Sequence, residues 1–133
     1  MKVDGACHCG DISFEAEIDP EGVRICHCTD CQTLSGSAYR VTVQVQADAF
    51  HLRSGEPAIY LKLADSGNQR VHAFCPRCGT PIYSAAPNDT TTYGIRVGTL
   101  KQRTLLTPKM QIWYRSALPW ANDLSNVTHS ERQ

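Results

Sequence analysis

Seven cysteines in three tight groups constrain this chain more than any other feature of its sequence: Cys7 and Cys9 in ACHCG, Cys26, Cys28 and Cys31 in ICHCTDC, and Cys75 and Cys78 in FCPRCGT. A chain of 133 residues amounts to one ordinary domain, because a scale of about 150 residues per domain leaves no room for two. All three groups therefore belong to one folding unit. The first ten residues, MKVDGACHCG, hold a single lysine and no apolar run of signal-peptide length, so the expected compartment is the cytoplasm. In that reducing setting the sulfurs are thiols or metal ligands rather than disulfides.

The FCPRCGT segment has the form of a zinc knuckle. Two residues separate the cysteines, Pro76 shapes the turn, and Gly79 stands where the chain needs positive φ. A thioredoxin-like redox pair has the same spacing but opens a helix in a βαβ unit, a pattern this sequence lacks. A knuckle supplies only half of a tetrahedral site. Cys7 and Cys9 can supply the other half, because alternate residues of a strand point to one face and both sulfurs can reach one ion. The expectation is a closed, structural four-cysteine zinc site from Cys7, Cys9, Cys75 and Cys78. It would pin the N-terminal strand to a distant hairpin and contribute on the order of 10 kcal/mol to folding.

Cys26, Cys28 and Cys31 remain. Three protein ligands with an exchangeable fourth position form the pattern of a catalytic zinc. Three thiolates bring such a centre to a net charge of about −1, which makes it a weak activator of water and a good seat for a sulfur ligand. A thiol held there as thiolate is a nucleophile at neutral pH. The trio also admits a second structural site completed by His27 or His8, or an idle cluster of part-buried thiols. His27 lies between two of the cysteines and on a strand faces away from their ion. Asp30 and His27 are the nearby groups for proton transfer, with Asp30 equally a turn or cap residue. His51 and His72 stand alone and read as surface or hydrogen-bonded histidines.

Around the cysteines, period-two alternation dominates: Ile12, Phe14, Ala16 and Ile18 share one face, as do Tyr39, Val41, Val43 and Val45. Similar patterns at Ile59–Leu63, Val71–Cys75, Tyr93–Val97 and Met110–Tyr114 predict further strands. Turn signals at Asp19-Pro20-Glu21-Gly22, Ser54-Gly55-Glu56-Pro57, Asp65-Ser66-Gly67-Asn68 and Pro87-Asn88-Asp89 separate them. One short helix is predicted from about Thr29 to Leu34, with Thr29 as its cap and Gly36 as its stop. The fold class is thus mainly β, built of small stacked antiparallel sheets around metal knuckles. Residues 1–121 form the expected domain, and residues 122–133, NDLSNVTHSERQ, read as a polar tail.

Composition removes some partners. Thirteen basic residues balance thirteen acidic ones, so no general field draws nucleic acid to the surface, although a local patch of Arg70, Arg77 and Arg96 stays open. No apolar run approaches the ~18 residues that cross a bilayer.

The order Cys-x-Cys-Gly, Cys-His-Cys-x-x-Cys, Gly36 and Phe-Cys-x-x-Cys-Gly resembles the glutathione-dependent formaldehyde-activating enzyme (Gfa) family, which also includes centromere protein V. The matching residues are Cys7, Cys9, Gly10, Cys26, His27, Cys28, Cys31, Gly36, Phe74, Cys75, Cys78 and Gly79. Gly98-Thr99-Leu100 and Pro119-Trp120 are also similar to family members. Gln32 departs from the basic residue that often follows the third cysteine. The resemblance implies a β-tent fold held by zinc knuckles, a structural zinc on the outer pairs and a catalytic zinc on the central trio. It also implies a carbon–sulfur lyase that joins glutathione and formaldehyde as S-hydroxymethylglutathione.

Three functions stay open from the sequence. The first is an enzyme acting on a thiol–aldehyde adduct at the open zinc. The others are a carrier that binds glutathione or another thiol without turnover, and an interaction module that zinc merely stabilises. Arg24, Arg40 and Arg96 are available as forked donors for the carboxylates of glutathione, at positions the sequence does not fix.

Overall fold

The computed structural model describes residues 1–63 and 67–133, and of Asp89 and Thr90 the backbone alone. Asp65 and Ser66 of one expected turn lie outside the described residues. The mainly β expectation holds, with ten strands and one short α-helix among the described residues. Three strands, β1 (Lys2–Ala6), β2 (Ser13–Glu17) and β5 (Phe50–Ser54), form a small antiparallel sheet in the order β1-β2-β5. The other seven are β3 (Val23–Cys26), β4 (Arg40–Gln46), β6 (Ala58–Leu63), β7 (Gln69–Phe74), β8 (Pro81–Ala86), β9 (Asp89–Arg96) and β10 (Met110–Ile112). They form one sheet in the order β10-β3-β4-β9-β8-β7-β6. This sheet is larger than expected, and its β10–β3 pair is parallel.

The alternation seen in the sequence decides what each face of the large sheet touches. Val43 and Val45 of β4, Ile95 of β9 and Ile82 of β8 point to one side, where they pack with Val3 and Phe14 of the small sheet in a single core. Phe50 fills its centre, 5.1 Å from the Phe14 ring and 5.4 and 5.5 Å from Tyr83 and Tyr93, which stack on each other at 4.5 Å. Burying a side chain of this size contributes roughly 1.5–3 kcal/mol, so the aromatic cluster fixes how the sheets lie on each other. The opposite face of the large sheet carries polar residues.

Strand β6 departs from the apolar-in expectation. Ile59, Leu61 and Leu63 do alternate on a strand, but all three are exposed, because β6 is the edge of the seven-stranded sheet and pairs only with β7. No helix among the described residues is long and apolar enough to cross a membrane.

The helix, α1 (Thr29–Ser35), lies close to where the sequence places it. Gly36 stops it in the left-handed region at φ 62°, where its N–H returns to the carbonyls of Gln32 and Thr33. The cap is Cys28 rather than Thr29: the Cys28 sulfur accepts the Cys31 N–H at 3.3 Å. Gln32 fastens the helix from its other side, its amide donating to the carbonyls of His27 at 2.8 Å and Ser116 at 3.0 Å.

Candidate functional site

The loop after β1 carries Cys7 and Cys9, and the loop after β7 carries Cys75 and Cys78. Their four sulfurs lie within 4.8 Å of one another, so the cluster ties the small sheet to the large one. Cys9 Sγ stands 3.5 Å from Cys7 Sγ and 3.8 Å from Cys75 Sγ. Tetrahedral thiolates at Zn–S distances of about 2.3 Å are separated by about 3.8 Å, so the spacing suits that ion. Gly79 takes φ 78° behind Cys78, and its N–H closes the turn onto the Cys75 carbonyl at 2.8 Å.

Donors around these sulfurs favour negative charge. The Ile12 N–H lies 3.2 Å from Cys7 Sγ. The Thr80 hydroxyl, 3.1 Å from Cys78 Sγ, is the largest of the influences drawing that thiol down to about 5, with the N–H groups of Cys9 and Thr80 adding to it. The Asp11 N–H acts the same way on Cys9, but burial and the three neighbouring thiols prevail and push it up to about 12. Crowded thiols divide their protons this unevenly when one sulfur's charge must suppress the next. A divalent cation replaces the shared protons and lets all four ionise.

The second group has different surroundings. Cys26 ends β3, Cys28 caps α1 and Cys31 lies in its first turn, with the three sulfurs within 4.8 Å of one another. A hydrogen bond from the Cys31 thiol is the main reason Cys26 falls to about 5. The N–H and thiol of Cys28 and the charge of Arg40 assist, against the cost of burial. Cys31, holding the shared proton, is pushed up. These donors again suit a soft divalent cation such as zinc, with three protein ligands rather than four. All seven cysteines are free thiols.

Neither histidine considered as a fourth ligand joins this group. His27 is fully buried, edge-on to Tyr39 at 5.4 Å and Tyr114 at 5.6 Å, with Nε2 2.6 Å from Gln111 Oε1. His8 is anchored elsewhere, its backbone N–H donating to Thr80 Oγ1. Asp30 is exposed and paired to Lys62 at 2.6 Å. Neither Asp30 nor His27 lines the cavity described next.

The three sulfurs form part of the wall of a cavity of about 510 Å³ on the polar face of the large sheet, a size ordinary for a small-molecule site. Register places its lining. Cys26 is opposite Arg40, and Arg24 and Arg96 flank Thr42 from β3 and β9. A second cross-strand row runs Gln44, Gly94, Ser84, His72. Lys62 and Arg70 face each other on β6 and β7. Five cations thus converge on one cavity, Arg24, Arg40, Lys62, Arg70 and Arg96, and among the described lining residues there is no carboxylate. Five of the chain's thirteen basic residues thus line one wall, one of them, Lys62, paired to Asp30 outside it.

Arg24, Arg40 and Arg96, put forward as carboxylate donors, all stand in this cavity. Arg77 does not: it turns outward to Asp11 at 3.1 Å. Sequence reasoning missed Lys62, and it set Arg70 in a patch with Arg77 and read His72 as surface or hydrogen-bonded without placing either at this cavity. Their signal was the polar half of each strand's alternation, as in Arg70 and His72 against Val71 and Ala73 on β7. His72 Nδ1 lies 3.2 Å from Arg96 and 3.5 Å from Arg40. Burial, with the charges of Arg40 and Arg96 next, holds its imidazole down to about 3 and therefore neutral.

Residues 2–116 match the family described as glutathione-dependent formaldehyde-activating enzyme, and the chain belongs to that family. It is also similar to a crystal structure of a Rhodobacter sphaeroides protein, with a TM-score of 0.62 at 21% sequence identity. That match covers 81% of this chain and 98% of the other, and at such identity the likeness is one of fold.

Proposed function

We propose that the protein is a zinc-dependent carbon–sulfur lyase acting on a thiol–aldehyde adduct of the S-hydroxymethylglutathione kind, with the reaction centred on Cys26, Cys28 and Cys31. The observation that carries this reading is the placing of three clustered thiols in the wall of a cavity that holds five cations and, among its described lining residues, no carboxylate. Membership of the formaldehyde-activating family supports the substrate class. In the adding direction the thiol sulfur forms a bond to the aldehyde carbon, and the thiol proton ends on the new hydroxyl oxygen. In the reverse direction that C–S bond breaks and thiol and aldehyde are released.

Cys26, Cys28 and Cys31 would hold the zinc, which supplies charge stabilisation for a substrate sulfur in its thiolate form. The chain's own groups orient the thiol. The Cys28 cap and the Gln32 bonds fix α1 and so keep Cys31 in place beside Cys26. Arg40, opposite Cys26, adds positive charge where anionic sulfur gathers. The cations as a set favour an anionic thiol over a neutral one and raise its local concentration. Cys7, Cys9, Cys75 and Cys78 take no part in the reaction and hold the two sheets together through a structural zinc.

Exchange spectroscopy on isotopically labelled formaldehyde with glutathione tests this directly. The protein is expected to speed interconversion of free aldehyde and adduct, and Cys28→Ala to abolish the acceleration while the far-ultraviolet spectrum stays native. Binding of glutathione with no change in exchange rate would replace the lyase by a thiol carrier.

A further inference from the structure

Arg40 and Arg96 are each more than nine-tenths buried, at 6% and 7% exposure, and among the described residues no carboxylate pairs with either. Their shared partner is His72 Nδ1, a neutral nitrogen with one lone pair, which both guanidinium groups approach from different strands. Arg96 Nε has no hydrogen-bond partner among the described residues. Burying a charge costs several kcal/mol unless a partner restores what water supplied, and two such charges side by side repel one another as well. Their closeness is built in. Arg40 and Thr42 share a face of β4, and Thr42 lies directly opposite Arg96, so the two arginines are diagonal neighbours. Ser84 and Gly94, small residues in the intervening row, leave room for Arg96 to reach His72 across β8. Packing does not seal the pair either, because the same three side chains also border a second cavity of about 310 Å³, beside Tyr60 and Phe74.

We propose that Arg40 and Arg96, oriented by His72, form a subsite in the wall of the cavity that seats one carboxylate of the substrate thiol, whose sulfur lies at Cys26, Cys28 and Cys31. The identity of the sulfur-bearing end rests on the function proposed above; the carboxylate subsite rests on the arginines alone. A guanidinium offers two parallel N–H groups that match the two oxygens of a carboxylate. His72 is a positioning residue: as a neutral acceptor it fixes both forks without cancelling their charge.

The test is calorimetric titration of the full, zinc-loaded chain with glutathione and with its diethyl ester, which keeps the thiol and removes the negative carboxylates. The acid is expected to bind at least ten times more tightly than the ester. Arg96→Gln should remove most of that preference by weakening the acid and sparing the ester, whereas Arg40→Gln, which also takes charge from beside Cys26, should weaken both ligands and the acid more. Equal affinity for acid and ester in the wild-type chain, a comparison that needs no variant to fold, overturns the proposal. So does an equal loss of affinity for both ligands in Arg96→Gln, which would assign the arginine to the sulfur end. S-methylglutathione separates this proposal from the lyase reading. If it binds and the binding depends on Arg96 while no adduct exchange is catalysed, the subsite stands and the lyase falls. If exchange is catalysed while acid and ester bind alike, the lyase stands and the subsite falls.

Discussion

The two cysteine clusters use the same ligand type at similar spacing, yet they stand in opposite surroundings. Cys7, Cys9, Cys75 and Cys78 come from loops on two different sheets, with Cys9 and Cys75 66 positions apart, and the nearby cation, Arg77, turns outward to Asp11. Cys26, Cys28 and Cys31 come from one short run, tie no distant segments together and face a cavity that gathers five cations. Sulfur would set metal affinity in both places. Role follows from what else the ligands do: a metal that closes a long loop contributes to folding, whereas one closing a local turn adds little and is left for chemistry.

The largest effect that could break this contrast comes from Cys75→Ala. Losing a metal held by the four sulfurs would remove on the order of 10 kcal/mol, comparable to the whole stability of a small domain, so circular dichroism should show an unfolded chain. Cys28→Ala should lose one zinc and catalysed exchange but keep the fold. Its stability cost is the helix cap, about 1 kcal/mol, or roughly 4 °C in Tm. Equal unfolding by both substitutions would erase the distinction.

His72 sharpens the contrast on the cavity side. Its folded value, about 3, lies below the unfolded value near 6.5, so the unfolded chain binds the extra proton in acid. The stability this ring contributes is present above pH 6.5 and is lost as pH falls from there toward 3, with a slope of at most about 1.4 kcal/mol per pH unit, reduced because the ring is only half-buried. His72→Gln should lack that slope. The difference between the two proteins in urea midpoint against pH isolates it from acid loss of the metals.

Smaller effects probe the folding cluster. Gly79→Ala places a Cβ in open space but at φ 78°, so its cost of about 1–2 kcal/mol is conformational and should appear as a lower Tm. Arg77→Ala breaks an ion pair whose side chains are 69% and 50% exposed. It should leave both the denaturant midpoint and glutathione affinity nearly unchanged, because solvent screens an exposed pair.

How much of this was legible depended on whether the signal was local. The cysteine groups could be read because spacing within each is a short-range matter, and joining Cys7 and Cys9 to Cys75 and Cys78 followed from counting ligands toward four. The strand around Phe14 and the Gly36 stop were legible for the same reason. The cap was misassigned to Thr29 because propensity rules favour oxygen acceptors, whereas here a sulfur accepts the N–H. Strands β3, β5 and β8 went unannounced, and β1 was marked only as an N-terminal strand without bounds. The five cations could not be grouped from sequence at all. They lie on β3, β4, β6, β7 and β9, and only the register of the large sheet brings them to one face.

The most direct measurement of the central claim is zinc per chain followed through graded chelation, with the folded fraction recorded alongside. Two zinc ions are expected, one removed early with the fold intact and the other leaving only as the chain unfolds. A single zinc per chain, or two lost together with the fold, would contradict the division between a metal that builds the protein and a metal that works in it.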